Sequence, residues 1–316
     1  MCNLHSPYFN DPNEARKHLE SLRWPNGATC PHCGCFERVY AVEANEKKKI
    51  REGLYHCNDC SKQFTVTVGT VFERSKVGLH KWLSACYLMC SSKKGVSAKQ
   101  LERSLGVTYK TAWFMAHRIR EAMRDGSPGI MGGNGGTVEV DETYIGNDGK
   151  KKYKARGFHH KNKVLTLVER DGRARSFHVN AVNAKTLMPI IHEQIDSDTN
   201  IMTDEAGVYV TKREGKESSS LDNHFISHNH VNHGIGEYVR GNIHTNTIEG
   251  YFSIFKRGMN GVYQHCGKQH LKRYLCEYDF RYNHREKLGY NDLERTDIAL
   301  RGIEGKRITY ARHHKQ

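Results

Sequence analysis

The chain has 316 residues, which at about 150 residues per domain allows two or three domains. Lysine and arginine total 49 against 35 aspartate and glutamate, a net charge of +14, and 37% of residues are hydrophobic. Six prolines exclude a Pro-rich linker protein, the aromatic content argues against full-length disorder, and no run of about 18 apolar residues offers a membrane span. The polar opening MCNLHSPYFNDPNEARKHLE is unlike a secretory leader, so reduced thiols are expected. Charge of this sign favours a polyanionic partner, of which nucleic acid is the commonest, but gives no mechanism by itself.

In chain order, residues 11–24 predict a short helix started by Asp11 and Pro12, with Ala15, Leu19 and Leu22 on one face. Residues 25–75, rich in Gly, Cys, Lys and β-branched types, suit short strands and turns. Residues 78–125 carry helical periodicity broken at Lys93–Val96 and at Gly106. Asp125–Gly136 (DGSPGIMGGNGG) holds six glycines and reads as a linker. The pattern then becomes strand, strand, strand, helix, strand at 137–145, 163–169, 174–180, 184–194 and 200–203. Residues 211–243 are polar and aperiodic, helices are expected at 246–257 and 268–285, and the basic tail 302–316 is expected to fray. This gives a helix and ribbon module (1–75), a helical module (76–125), a linker (126–136) and an α/β domain (137–316).

Cys30-Pro-His-Cys33 and Cys57-Asn-Asp-Cys60 are two CxxC knuckles separated by 23 residues, with the turn Glu46–Lys49 between them and the alternating run Gln63–Val68 after them. Each knuckle sets two thiolates on one tight turn, and two such turns make a tetrahedral structural Zn²⁺ site, as in a zinc ribbon. Cys35 and His32 lie near enough to compete as ligands. Cys86 and Cys90, four apart on a helix, read as core residues, and Cys2, Cys266 and Cys276 have no partner spacing.

Val96–Trp113 reads as a helix-turn-helix, with Ser97 and Thr108 as caps and Gly106 in the turn. Leu101, Leu105, Val107, Ala112 and Met115 pack the helices together. Tyr109, Lys110, Thr111, His117 and Arg118 are left as exposed candidates for reaching a DNA major groove. Lys256 and Arg257, with the basic tracts Lys150–Lys154 and Arg301–Arg307, are further candidates for phosphate contact.

The sharpest signal is acidic. Asp141 interrupts an apolar strand, where an acid is costly to desolvate without a cation. Asp204 ends the strand Asn200–Thr203. Glu249 lies at the edge of the apolar face formed by Ile248, Tyr251, Phe252 and Phe255, and Lys256 follows two turns later on the same side. Their neighbours' alternation sets Glu139, Glu142 and Glu205 on other faces. An acid on a first strand, an acid ending a fourth and an acid on a later helix match the ribonuclease H topology. Together they can hold two Mg²⁺ or Mn²⁺ ions for in-line phosphoryl displacement.

The segments VEVDETYIG (138–146), IMTDEAGVY (201–209), HTNTIEGYFSIFKRGMNGVYQH (244–265) and HLKRYLCEYDFRYNHR (270–285) resemble the ISXO-type insertion-sequence transposases, DDE enzymes related to the Merlin transposases. The resemblance covers nearly the whole chain, since such proteins carry a zinc ribbon and a helix-turn-helix before the catalytic domain. It implies an α/β fold with small zinc and helical modules before a ribonuclease H-like mixed five-stranded sheet flanked by helices. It also implies Asp141, Asp204 and Glu249 as the catalytic acids, with Lys256 as basic companion. Some relatives use asparagine as the third member, which makes Asn246 an assisting candidate, while Glu249 has the seven-residue spacing to the lysine. The sequence departs from relatives at Asn147-Asp-Gly, a turn.

The function expected is a transposase of a prokaryotic cytoplasm. It would bind double-stranded terminal inverted repeats, cut at the element ends and join the 3′-hydroxyls to target DNA, working as a homodimer or higher synaptic assembly with no membrane. A transcription regulator with a vestigial catalytic domain and a ribonuclease H-like nuclease without joining activity are the alternatives.

Overall fold

In a computed structural model of the chain, which describes residues 3–126, 128–147, 158, 160–213, 216–219 and 221–308, helix α1 (Pro12–Arg23) starts where Asp11 caps it. The Asp11 carboxylate accepts the amides of Asn13 and Glu14 at 2.8 Å. Strands β1 (Val39–Ala41), β2 (Tyr55–Cys57) and β3 (Lys62–Phe64) form an antiparallel ribbon in that order. The last strand stops at Phe64, short of the expected run, because Thr65–Thr70 turns back on itself through Val68 N–H to Thr65 O.

Helix α2 (Leu79–Ser91) buries Trp82, Leu83, Cys86, Met89 and Cys90, so the two cysteines are core as expected. Helices α3 (Ala98–Leu105) and α4 (Tyr109–Ala122) flank Gly106, whose φ of +59° few residues other than glycine adopt cheaply. Ser97 and Thr108 accept the amides of Gln100 and Thr111, as their cap positions require.

The chain then builds a separate unit on β4 (Gly136–Ile145), β5 (Asn162–Glu169) and β6 (Ala174–Val179). Helix α5 (Ala184–Gln194) crosses to β7 (Thr199–Thr203). A small hairpin, β8 (Thr211–Arg213) with β9 (Lys216–Ser218), precedes β10 (Ser227–His230). The sheet runs β10-β7-β4-β5-β6, with β10, β7 and β4 parallel and β5 antiparallel to both its neighbours β4 and β6, the mixed five-stranded order of a ribonuclease H-like domain. A two-stranded ribbon, β11 (Val239–Arg240) and β12 (Ile243–His244), leads into α6 (Asn246–Gly258) and α7 (Leu271–Asn283).

The middle of β5 carries apolar residues on both faces, Val164 and Val168 on one and Leu165 and Leu167 on the other, because both faces are covered. Leu165 and Leu167 join Val138, Val140, Leu187, Ile191 and Tyr209 on one face. Val164 and Val168 join Ile145 and the α6–α7 residues Ile248, Phe255, Leu271 and Tyr278 on the other.

Three expectations need correction. The linker belongs to the sheet unit rather than standing between domains: Met131 is fully buried and its amide donates to Gln194 O at 2.9 Å. The last helix, α8 (Asp292–Arg301), does not belong to the sheet unit; from Asn291 the chain returns to the N-terminal unit and packs on α1, α2 and α4. The tail is ordered past residue 302, with Ile303 buried and its carbonyl accepting Val71 N–H at 3.1 Å. Cys2, the Asp148-Gly149 turn, Lys150–Lys154 and the tail beyond 308 lie outside the described residues. Among the described residues no helix is long and apolar enough to cross a membrane.

Candidate active site and metal centre

Asp141 sits mid-strand on β4, opposite Thr166 of β5, and Asp204 follows the end of the neighbouring parallel strand β7. Parallel strands gather polar groups at their carboxyl ends, where ligands of α/β sheets bind. The Asp141 carboxyl is pushed well above the usual carboxylate range, first by burial and then by the charges of Asp204 and Glu142; the Lys256 ammonium pulls it back. Burial raises Asp204 too, against the Ala206 amide that donates to its Oδ1 at 3.0 Å. Glu142 is raised to about 7 by burial, although the buried Tyr209 hydroxyl donates to it. Desolvated carboxylates that repel one another ionise together only around a cation.

Glu249, on the first turn of α6, is half-exposed and accepts the Thr245 hydroxyl at 3.1 Å. His233 Nε2 lies 3.8 Å from Glu249 Oε1, and the same ring, when it carries a proton, favours the ionised form of Asp204. Asn246 and Arg257 are exposed on the same helix, and Lys256 lines a cleft of about 350 Å³ with Glu142, Tyr144 and Asn260. The donors are all oxygen, the chemistry of a hard cation. Among the described residues the four cysteines are the group whose ligand atoms lie within 4.8 Å of one another, and the three acids do not form such a group.

Sequence reasoning set Glu139 aside, and the structure corrects this. Period two puts residues 139 and 141 on one face, the face that packs on α6. Glu139 is fully buried, accepting Arg170 Nε at 2.8 Å, the Thr247 hydroxyl at 2.9 Å and the Ile248 amide at 2.9 Å. Arg170 also donates to the carbonyls of Asn242 and His244. Thr245 itself makes no side-chain cap, so a carboxylate from β4 satisfies the start of α6 and ties the helix bearing Glu249 to the strand bearing Asp141. The alternation Glu139, Asp141 was the available signal. Glu142 does lie on the other face, against Tyr209, and Glu205 accepts the amides of His233 and Gly234 at 3.0 Å.

In the N-terminal unit, Cys30, Cys33, Cys57 and Cys60 bring their sulfurs within 4.8 Å of one another, with Cys30–Cys60 and Cys33–Cys57 at 3.6 Å. A tetrahedral ion with about 2.3 Å bonds to sulfur needs edges of roughly 3.8 Å, so the cluster fits a closed structural Zn²⁺ site. The Cys60 amide helps hold the Cys57 thiol down to about 7, while Cys33 is pushed up to about 12 and burial raises Cys60. His32 and Cys35 lie outside the cluster.

Of the groove-facing candidates, Tyr109 and Lys110 are exposed and Thr111 is half-buried. His117 and Arg118 are buried, against expectation. His117 stacks edge-on to Trp113 with ring centroids 4.2 Å apart, and Arg118 donates to the carbonyls of Glu73 and Ile308 at 3.2 and 3.3 Å. Helices α2 and α8 both pack on α4, and the segment after α8 reaches it through Lys306 to Ala122 O and Ile308 O to Arg118.

Residues 134–283 match the ISXO2-like transposase domain, and residues 10–63 match the transposase zinc-ribbon domain. The chain is 29% identical over 285 residues to the uncharacterized protein in transposable element ISH50 of Halobacterium salinarum, covering 86% of this chain and 91% of that protein.

Proposed function

Since residues 10–63 and 134–283 make this chain one of the ISXO2-like transposases, we propose that it binds the terminal inverted repeats of its element, cuts at their ends and joins the freed 3′-hydroxyls to target DNA. The observation that carries this reading is the pairing of Asp141 and Asp204 on adjacent strands, each carboxyl raised by burial, with the Lys256 charge acting on Asp141.

Asp141, Asp204 and Glu249 are the residues that would hold the ions. Bound Mg²⁺ or Mn²⁺, two per site, supplies activation of the attacking water or 3′-hydroxyl and stabilisation of the leaving oxygen. Lys256 draws the scissile phosphate toward the acids, Asn246 assists from the turn before Glu249, and Glu139 fixes the helix on which all three stand. Tyr109, Lys110 and Thr111 meet the repeat, and Arg257 meets backbone phosphate. Work on two DNA ends calls for at least a homodimer.

The test is purified full-length protein with Mg²⁺ and duplexes carrying the element ends, scored for cut and joined products. Cutting and joining that Asp141→Asn abolishes while binding persists is the expected result. Binding without cutting in Mg²⁺ or Mn²⁺ would leave a regulator, and cutting without joining a nuclease.

A further inference from the structure

Beyond Asp141, strand β4 runs into the cleft of about 350 Å³, whose lining includes Glu142, Tyr144, Phe158, Lys161, Lys256 and Asn260. Part of this wall is aromatic and cationic. Phe158 is 54% exposed, and the Tyr144 ring lies against it with centroids 4.9 Å apart and planes tilted by 31°. The Lys161 ammonium stands 4.8 Å from the Phe158 centroid. Lys256, whose charge reaches Asp141, lines the same space.

An open ring flanked by ammonium groups suits a nucleobase and its phosphates: every base has a face that stacks on an aromatic ring, whatever its identity, and lysines track the backbone. Inside a duplex those faces are covered by neighbouring bases, so a ring within a cleft meets a base only when the base is unpaired or turned out of the stack. The volume lies at the lower end of the roughly 300–1,000 Å³ of small-ligand sites, room for about one nucleotide rather than a duplex.

We propose that this cleft seats one unpaired nucleobase of the DNA end beside the cut, stacked on Phe158 and Tyr144, with Lys161 exchanging its ring contact for the flanking phosphate. The proposal rests on the reading of the chain as a DNA-end-processing enzyme and gives its active site a device for holding the end open.

The experiment is a cycle between ring and base. Wild-type protein and Phe158→Ala are titrated with end duplexes in which each nucleotide near the cut is replaced in turn by an abasic one. Ca²⁺ replaces Mg²⁺, so that affinity is read without cutting. Phe158 is more than half exposed, so the variant should keep the wild-type melting temperature. Loss of one base–ring stack weakens binding of the intact duplex by roughly 5- to 150-fold. At one abasic position, and at no other, the wild type should lose the same factor and the variant nothing more. Equal affinities for wild type and variant, or the same loss at every abasic position, would overturn the subsite. Cutting in Mg²⁺ without this coupling refutes the subsite and leaves the transposase reading. Coupling in Ca²⁺ with no cutting in Mg²⁺ supports the subsite and removes the enzymatic reading, and a chain that does not bind the end overturns both.

Discussion

Replacing Glu139 probes how α6, the helix that bears Glu249, is held. Glu139→Ala removes the acceptor shared by Arg170, Thr247 and Ile248 and leaves a mostly buried guanidinium and a buried amide without it. Removing one partner of a buried ion pair costs about 3–5 kcal/mol, and an orphaned amide about 1–3 kcal/mol more. Arg170 keeps the carbonyls of Asn242 and His244, so the sum falls near the lower figure, about 3–5 kcal/mol for the sheet unit. Glu139→Gln preserves the shape and one acceptor and should cost about 1–3 kcal/mol. Trp24, Trp82 and Trp113 all lie in the N-terminal unit, so tryptophan emission in urea serves as an internal control that the substitutions leave unmoved. Amide exchange over Asn246–Gly258 reads the effect itself, with protection lost in the order wild type, Gln, Ala. Unchanged exchange in the alanine variant, or an equal shift of the tryptophan transition, would refute the reasoning.

Removing zinc with a chelator, or changing Cys57 to Ser, should melt β1–β3, because a module this small depends on metal binding worth roughly 10–16 kcal/mol in zinc peptides. Trp24, packed edge-on to Tyr55 and Phe64, reports the loss, and an unchanged spectrum would contradict it. Burial holds His228 down to about 4, with Thr203 Oγ1 at 2.9 Å from its ring. Its folded value lies below the unfolded 6.5, so the unfolded chain binds the proton first. Stability therefore falls as pH drops from 6.5 toward 4, by up to about 3 kcal/mol, and His228→Gln should flatten that part of the urea-midpoint profile. Gly258→Ala should destabilise the sheet unit by about 1–3 kcal/mol in thermal unfolding. The added methyl would overlap the Tyr278 hydroxyl and meet Lys94 O at 2.5 Å, and an unshifted melting temperature would show that the site relaxes.

What the sequence made legible follows from how strongly each feature constrains its residues. The CxxC knuckles, the caps Asp11, Ser97 and Thr108, and the central strands β4, β5 and β7 carry their own signal: fixed ligand spacing, short-range hydrogen bonds, or apolar runs buried on both faces. The fifth strand, β10, was hidden because its sequence Ser-His-Asn-His is half-buried on both sides and offers no alternation; backbone pairing to β7 alone defines it. The burial of His117 and Arg118 was hidden for another reason. Arg118 bonds the carbonyls of Glu73 and of Ile308, the latter 190 residues later in the chain, and no local pattern on α4 announces a partner that distant. Glu139 lay within reach of the period-two rule, but its role needs Arg170 and the start of α6, which only the tertiary structure brings together.

The central claim, that Asp141, Asp204 and Glu249 hold divalent ions in one site, is open to a local measurement. Fe²⁺ in place of Mg²⁺, with peroxide, generates radicals that cut the polypeptide beside the bound ion. The account predicts fragments ending near residues 141, 204 and 249, suppressed by excess Mg²⁺ and lost in Asp141→Asn. Fragments confined to other segments, or an Asp141→Asn pattern identical to the wild type, would contradict it.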